Sequence, residues 1–338
     1  MIENKIAFEQ DFQLESGDVL PGLEIQYHST GKLNDTRDNV VWICHALTAN
    51  SDVIAWWPGM IGPGLLYDPD KYFIICANIL GSCYGTTGPE SINPASGNPY
   101  GKEFPAITVK DMVKAHQMLR KHLKIREIDI LTGGSLGGQQ ALEWAVSEPD
   151  LIQHLIPIAT NAIASPWGIA FNESQRMALE ADQDFQKGVY TGSSAGMRAA
   201  RSIALLSYRN GNTYNKTQAD PDPDKLGDYK AVSYQQYQGE KLEKRFNPFA
   251  YYLLSKALDS QNLGRGRQGL DSALASVTAK TLAIGITSDL LFPVEEQKLI
   301  AGKIGGALYR EVESFYGHDG FLIESDAISK EIKQFISH

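Results

Sequence analysis

The sequence predicts an α/β fold: a mostly parallel sheet flanked by helices, interrupted by a helical insertion. Three observations predict it. Short apolar runs of strand length recur along the chain, continuous rather than alternating, as expected of strands covered on both faces. Helix patterns stand between them, which implies parallel pairing through right-handed crossovers. The strand rhythm stops after about residue 164 and resumes near residue 279.

Taken in order, residues 12–17 and 23–27 alternate polar and apolar around glycine turns and predict an antiparallel hairpin. Apolar runs at 40–44, 72–77, 128–131, 152–159 and 281–286 predict the core strands. A helix is expected over 109–122, with Thr108 as N-cap and Asp111 as the acid three residues on. Another follows the third core run, through 140–145. From 165 to 270 the pattern is helical with no core strand. Within it, 210–228 is polar, holds Pro221 and Pro223, and predicts an exposed loop. The simplest account divides the chain into a sheet domain, 1–164 and 271–338, and an inserted helical lid, 165–270. The last helix is expected over 327–336.

With 338 residues, 43% hydrophobic and 21% charged, the chain can form one large domain with an insertion. A net charge of −9 argues against nucleic acid or an anionic membrane as the partner. The N-terminus, Met1-Ile2-Glu3-Asn4-Lys5, has no apolar signal core, and no stretch approaches membrane-spanning length. A cytoplasmic protein is expected. Cys44 and Cys76 read as buried core thiols, and Cys83 as a loop thiol able to line a site. No cysteine pair has metal-ligand spacing, so no metal is expected, and an odd count argues against a disulfide framework.

The most informative segment is Gly133-Gly134-Ser135-Leu136-Gly137-Gly138-Gln139. It follows a predicted strand and opens a predicted helix, the context of a Gly-x-Ser-x-Gly nucleophile elbow. Such a turn strains its central residue and needs small neighbours at plus and minus two. It exposes the hydroxyl beside amides at a helix N-terminus. A serine hydroxyl needs a base, and the base needs an acid to orient it. Three histidines follow Ser135. His154 lies in an apolar run and reads as a packing residue, and His338 is the C-terminus. His318 sits in the glycine-flanked loop Tyr316-Gly317-His318-Asp319-Gly320 and is the expected base. Asp289, where the 281–286 strand runs into a loop, is the expected acid. Asp319 is its rival, but adjacent loop residues rarely point the same way. The oxyanion needs two backbone donors. The Leu136 amide is one, and the Leu47 amide, on the loop after the 40–44 strand, is the other. His45 is expected to brace that loop.

At this point the chain resembles a known family. Cys44-His45-Ala46-Leu47-Thr48, Gly62-Pro63-Gly64, Cys76-Ala77-Asn78-Ile79-Leu80-Gly81, Tyr84-Gly85-Thr86-Thr87-Gly88-Pro89 and Ser91-Ile92-Asn93-Pro94 are similar to the homoserine O-acetyltransferases. So are Phe104-Pro105, Leu142-Glu143-Trp144-Ala145, Phe171-Asn172-Glu173, Ser288-Asp289-Leu290-Leu291-Phe292-Pro293 and Gly317-His318-Asp319-Gly320-Phe321-Leu322. The resemblance covers nearly the whole chain. It implies an α/β-hydrolase fold with a helical lid, usually in a homodimer. It implies acetyl transfer from acetyl-CoA as co-substrate to L-homoserine in methionine synthesis, with no bound cofactor. Its motif places nucleophile, acid and base on Ser135, Asp289 and His318. It also implies that Arg201 holds the substrate carboxylate and Asp319 the ammonium, with Tyr208 lining the same pocket.

Two positions depart from the pattern: many members have methionine at both Leu136 and Gln139. Leucine nearly conserves the volume, whereas glutamine changes the packing behind the elbow. An esterase would use the same triad but hydrolyse the acyl-enzyme; the lid motifs and the Arg201/Asp319 pair argue against it. Succinyl transfer and serine acetylation stay open within the family. A succinyl carboxylate would want a cation near the oxyanion loop. Residues 45–64 contain no Lys or Arg, which favours acetyl unless the lid supplies the charge. In so acidic a chain the CoA phosphates need a local basic patch that the sequence does not locate.

Overall fold

The computed structural model describes residues 1–337. Its strands are β1 (Ile2–Phe8), β2 (Phe12–Gln13), β3 (Val19–Leu20), β4 (Leu23–Thr30), β5 (Val40–Cys44), β6 (Phe73–Ala77), β7 (Ile128–Gly134), β8 (Ile152–Ile158), β9 (Lys280–Ile286) and β10 (Leu308–Val312). The helices are α1 (Val53–Trp56), α2 (Val109–His122), α3 (Leu136–Ser147), α4 (Pro166–Glu180), α5 (Gln183–Gln186), α6 (Ala195–Tyr208) and α7 (Gly211–Thr217). They continue with α8 (Lys230–Glu243), α9 (Pro248–Asp259), α10 (Leu270–Ala275), α11 (Val294–Lys303), α12 (Gly320–Ile323) and α13 (Ser325–Ile336).

Eight strands form one sheet in the order β1-β4-β6-β5-β7-β8-β9-β10. β4 pairs antiparallel with β1 and with β6, and the pairings from β6 to β10 are parallel. The α/β architecture is therefore the one that the apolar runs imply. Along β5, Val40, Trp42 and Cys44 join one buried cluster while Val41 and Ile43 join another. The sheet is covered on both faces, by α2 and α3 on one side and by α13 on the other. That is why its strands are continuously apolar.

Register decides where the site can form. Cys44 pairs with Gly133, Gly134 with Ile158, and Ile158 with Ile284. The C-terminal ends of β5, β7, β8 and β9 thus lie along one edge, and the loops that follow them meet there. Open α/β sheets bind ligands at this edge.

Three sequence expectations change in the structure. Residues 23–27 do not pair with 12–17. β4 pairs over its length with β1, Ile6 opposite Ile25, while β2 and β3 make a separate two-residue ribbon. The charged start of β1 hid an edge strand whose Ile6 and Phe8 pack against the core. β10 also escapes the apolar pattern, because it is an edge strand that pairs only with β9 and carries Arg310 and Glu311. The polar stretch 210–228 holds helix α7, whose N-terminus is capped by the Asn210 side chain on the amides of Asn212 and Thr213.

Between β8 and β9 the chain leaves the sheet for the helices α4 to α9. The two arms of this insertion are stitched at its base. Ala164 N–H donates to Gln261 O at 2.9 Å, and Leu263 N–H donates to Ala162 O at 3.0 Å. The chain has therefore returned to the sheet by Leu263, before α10 begins.

Helix α2 starts as its sequence implies. Asp111 accepts the Thr108 N–H at 2.9 Å and, with its other oxygen, the Glu15 N–H at 2.8 Å. It ties the helix start to the N-terminal ribbon. Asp111→Ala should lower stability by about 1–3 kcal/mol, since two partly buried amides lose their acceptor. Urea unfolding of the two proteins measures this, and equal midpoints would show that water replaces both contacts.

Candidate active site

The site begins with a backbone conformation. Ser135 links β7 to α3 at φ 58° and ψ −126°, a region that side-chain-bearing residues rarely occupy. Its neighbours allow it because nothing larger than glycine fits. A Cβ on Gly137 would stand 2.0 Å from Cys44 O, and one on Gly133 would stand 2.5 Å from the Gly137 backbone. A Cβ on Gly134 would meet the Phe321 ring at 2.4 Å, and one on Gly138 would meet Thr160 at 2.6 Å. Thr160 Oγ1 donates to the Ser135 carbonyl at 2.7 Å and holds the turn from behind.

Asp289 arrives on the loop after β9 and His318 on the loop after β10. Asp289 Oδ1 accepts the amides of Leu291 and Phe292 at 2.8 and 2.9 Å, which leaves Oδ2 for His318 Nδ1 at 2.6 Å. The carboxylate is buried, and the imidazole is packed among Phe292, Phe321 and Tyr208. With Nδ1–H directed at Asp289, Nε2 carries the free lone pair. His318 and Ser135 line one cavity of about 410 Å³. Asp319, the rival acid, points elsewhere: its carboxylate pairs with Arg209.

Leu47 and Thr48 line the same cavity. Neither the Leu47 nor the Leu136 amide donates to a protein group among the described residues, so both are available to a ligand. His45 lies beneath this loop, fully buried, and burial pulls its pKa down to about 4. The neutral ring accepts the Ile79 N–H at Nε2, 3.1 Å, and donates from Nδ1 to Ala46 O, 2.9 Å. Gln140 completes the support, donating to the carbonyls of His45 and Leu136 and accepting from His116. The brace expected of His45 is what its contacts describe. Gln139 is half satisfied: its Nε2 donates to Asn161 Oδ1 at 2.8 Å, while its Oε1 is buried without a partner.

The insertion supplies the remaining wall. Arg201 and Tyr208 of α6 line the cavity, with the guanidinium 5.3 Å above the Tyr208 ring and its Nε buried without a partner. Burial raises the Tyr208 pKa. Sequence reasoning missed three cations here. Arg209 pairs with Asp319, while Lys241 and Arg245 line the cavity itself. Arg245 Nη1 donates to Thr48 O, so the absence of Lys and Arg from 45–64 does not leave the oxyanion loop without a cation. That argument for an acetyl donor therefore falls. Nothing in their spacing marks these residues, which come from a run of charges on a helical insertion. His154 is remote, on β8, with Nδ1 3.1 Å from Asp129 Oδ1. Cys44 and Cys76 are buried and Cys83 half-buried, all three free. Cys83 opens on a separate cleft with Ser82 and Thr86, and burial pushes its pKa up to about 12. His338 lies outside the described residues.

A parallel sheet, an elbow serine at the end of one strand and an aspartate–histidine pair from the loops that follow two others define the class: this is an α/β-hydrolase-fold protein. The family model for the alpha/beta hydrolase fold matches residues 39–325. A homoserine O-acetyltransferase of Cyclobacterium marinum is 45% identical over 327 residues, covering 97% of this chain and 93% of the relative. The crystal structure of homoserine O-acetyltransferase from Bacillus anthracis superposes with a TM-score of 0.90 at 25% identity, covering 100% and 98% of the two chains. Esterase E22 has a TM-score of 0.89 at 23% identity over 99% and 100%, a likeness of fold alone. Within the α/β hydrolases, the chain belongs to the homoserine O-acetyltransferase family.

One further group stands near the pair. Glu296, in the first turn of α11, has an Oε2 that is buried without a hydrogen-bond partner. Burial, reinforced by the Asp289 charge, raises its pKa from 4.5 to about 7. From sequence it reads as an ordinary acid at a helix N-terminus. The folded protein therefore keeps a proton that the unfolded chain releases above about pH 4.5. Stability should fall as pH rises from about 4.5 to about 7, and change little from this group above that. Glu296→Gln should flatten that slope and stabilise the protein at pH 8 by roughly 1–3 kcal/mol, discounted for partial exposure. Thermal unfolding across this pH range is the measurement. Parallel curves for the two proteins would refute the assignment.

Proposed function

We propose that the protein is a homoserine O-acetyltransferase working by a ping-pong mechanism through an acetyl-serine. One observation supports the mechanism: a single cavity is lined by Ser135 of the elbow, by His318, whose Nδ1 is held by Asp289 behind it, by Leu47 with its unpartnered amide, and by Arg201. In the first half-reaction His318 Nε2 takes the Ser135 proton as Oγ attacks the acetyl thioester. The amides of Leu47 and Leu136 receive the oxyanion, a contribution of about 2.7–4 kcal/mol per donor where such donors have been removed. The carbon–sulfur bond breaks, and the CoA sulfur takes the proton from His318.

In the second half-reaction the homoserine hydroxyl gives its proton to His318 and attacks the acetyl-serine. The Ser135 ester bond breaks and Oγ recovers the proton. Arg201 holds the substrate carboxylate, satisfying its unpartnered Nε, and Tyr208 forms the floor beside it. Asp319, kept in place by Arg209, faces the ammonium. The insertion acts as a lid over the acetyl-enzyme, keeping water from competing with homoserine. The acetyl donor rests on the family, since Arg245 and Lys241 remove the electrostatic case against succinyl.

Ser135→Ala should abolish acyl transfer without unfolding the protein, and Asp289→Asn should lower kcat by several orders of magnitude, roughly 10⁴-fold in the serine-protease case. Asp319→Asn should leave acylation by acetyl-CoA far less affected. Rapid-quench measurement of the acetyl-enzyme checks all three, and the opposite ranking of the aspartates would reverse their roles.

Arg201 separates the half-reactions. Arg201→Ala should still release one equivalent of CoA in a burst, then need much more homoserine in steady state. The lost charge-assisted contact is worth about 1.5–3 kcal/mol. Arg201→Lys should recover part of it, because a point charge does not reproduce the guanidinium fork. An absent burst with a normal KM for homoserine would assign Arg201 to the donor instead.

A further inference from the structure

We propose that Arg245 is a positioning residue of the oxyanion hole, aiming the Leu47 amide through two hydrogen-bonded peptide planes. The inference rests on the reading above that this amide receives the oxyanion. Arg245 Nη1 donates to the Thr48 carbonyl at 2.6 Å. That carbonyl shares a peptide with the Ala49 N–H, which donates to the Ala46 carbonyl at 3.0 Å. The Ala46 carbonyl shares a second peptide with the Leu47 N–H. The backbone contains no cis bond among the described residues, so each C=O and N–H point in opposite directions. Holding one carbonyl therefore sets the direction of the amide on the far side of the same plane.

The guanidinium is itself well seated. The same Nη1 meets Tyr84 Oη at 2.7 Å, and the Tyr84 carbonyl accepts Asn78 Nδ2 at 2.6 Å. Asn78 Oδ1 then accepts the Ser51 N–H at 2.7 Å, which closes a ring of hydrogen bonds around residues 48–51. The Tyr84 ring packs edge-on against Phe246, the residue after Arg245, with centroids 5.7 Å apart. His45 pins Ala46 O from the sheet side, and Arg245 reaches the same turn from the insertion.

Charge acts in the same direction as geometry. No carboxylate lies within ion-pair distance of Arg245 among the described residues. A cation at the carbonyl end of a hydrogen-bonded peptide chain polarises each plane, so the last N–H becomes a stronger donor. The oxyanion hole is then complete only when the insertion is docked on the sheet domain. An acyl-enzyme formed with the insertion displaced would lack part of its electrostatic support.

The test compares wild type, Arg245→Ala and Arg245→Lys in the full-length protein, with circular dichroism and thermal midpoints to verify folding. Acylation is followed before steady state with acetyl-CoA, with phosphate-free acetyl-pantetheine and with p-nitrophenyl acetate; deacylation is followed with L-homoserine. Arg245→Ala should slow all these steps about tenfold with KM values within about twofold, less than the roughly 10²–10³ for outright loss of a donor. Arg245→Lys should fall between, and guanidinium ion should restore part of the Arg245→Ala rate. If the alanine variant does not fold, the lysine variant decides the matter by the same uniform slowing. A loss confined to acetyl-CoA would make Arg245 a ligand of the donor phosphates. A loss confined to homoserine would make it an acceptor ligand, and unchanged rates would leave it no part in the chemistry; each overturns the proposal. A wild-type burst that survives Ser135→Ala would instead remove the acyl-serine reading, and this inference with it.

Discussion

The structure depends on the close packing around the strained Ser135 turn. A positive φ at a serine persists only when its surroundings leave no alternative. Here the surroundings are two backbone contacts and one ring: Cys44 O against Gly137, the Gly137 backbone against Gly133, and the Phe321 ring against Gly134. The same contacts bring the end of β5 and the base loop against the elbow. One steric fit thus holds the serine, the loop after β5 and the loop of His318 in a common frame.

Beneath that frame burial keeps two histidines neutral. His45 and His116 are fully buried, with pKa values pulled down to about 4, so neither adds a positive charge beneath the elbow at neutral pH. His116 stacks on Trp144 and passes its hydrogen bond through Gln140 to the His45 carbonyl. The imidazole of His318, by contrast, opens on the cavity and keeps its Nε2 free for proton transfer.

The insertion does more than roof the cavity. It contributes Arg201, Tyr208, Lys241 and Arg245 to the wall, where the one acid, Asp319, is already paired with Arg209. A chain of net charge −9 therefore presents a locally cationic cavity. The contacts of Arg245 with Thr48 and Tyr84 also join the wall to the loop that carries Leu47. The insertion and that loop are therefore mechanically linked.

Much of this was legible in the amino-acid order, because the informative features are local. Continuous apolar runs marked the central strands, and the capping pair Thr108 and Asp111 marked the start of α2. Glycines two residues either side of Ser135 marked the elbow, and a glycine-flanked His318 marked the base loop. What tertiary structure alone decided involves partners distant in sequence. β1 was hidden because its charged residues face solvent while its pairing partner lies beyond the β2–β3 ribbon, and β10 because an edge strand carries charge. The pairing of Asp319 with Arg209 and the reach of Arg245 to Thr48 span 110 and 197 positions. Sequence periodicity describes which face of an element is buried, but it contains no term for which side chain of a distant helix arrives at a given carbonyl. Chain crossings and strand register determine that, and only the folded molecule contains them.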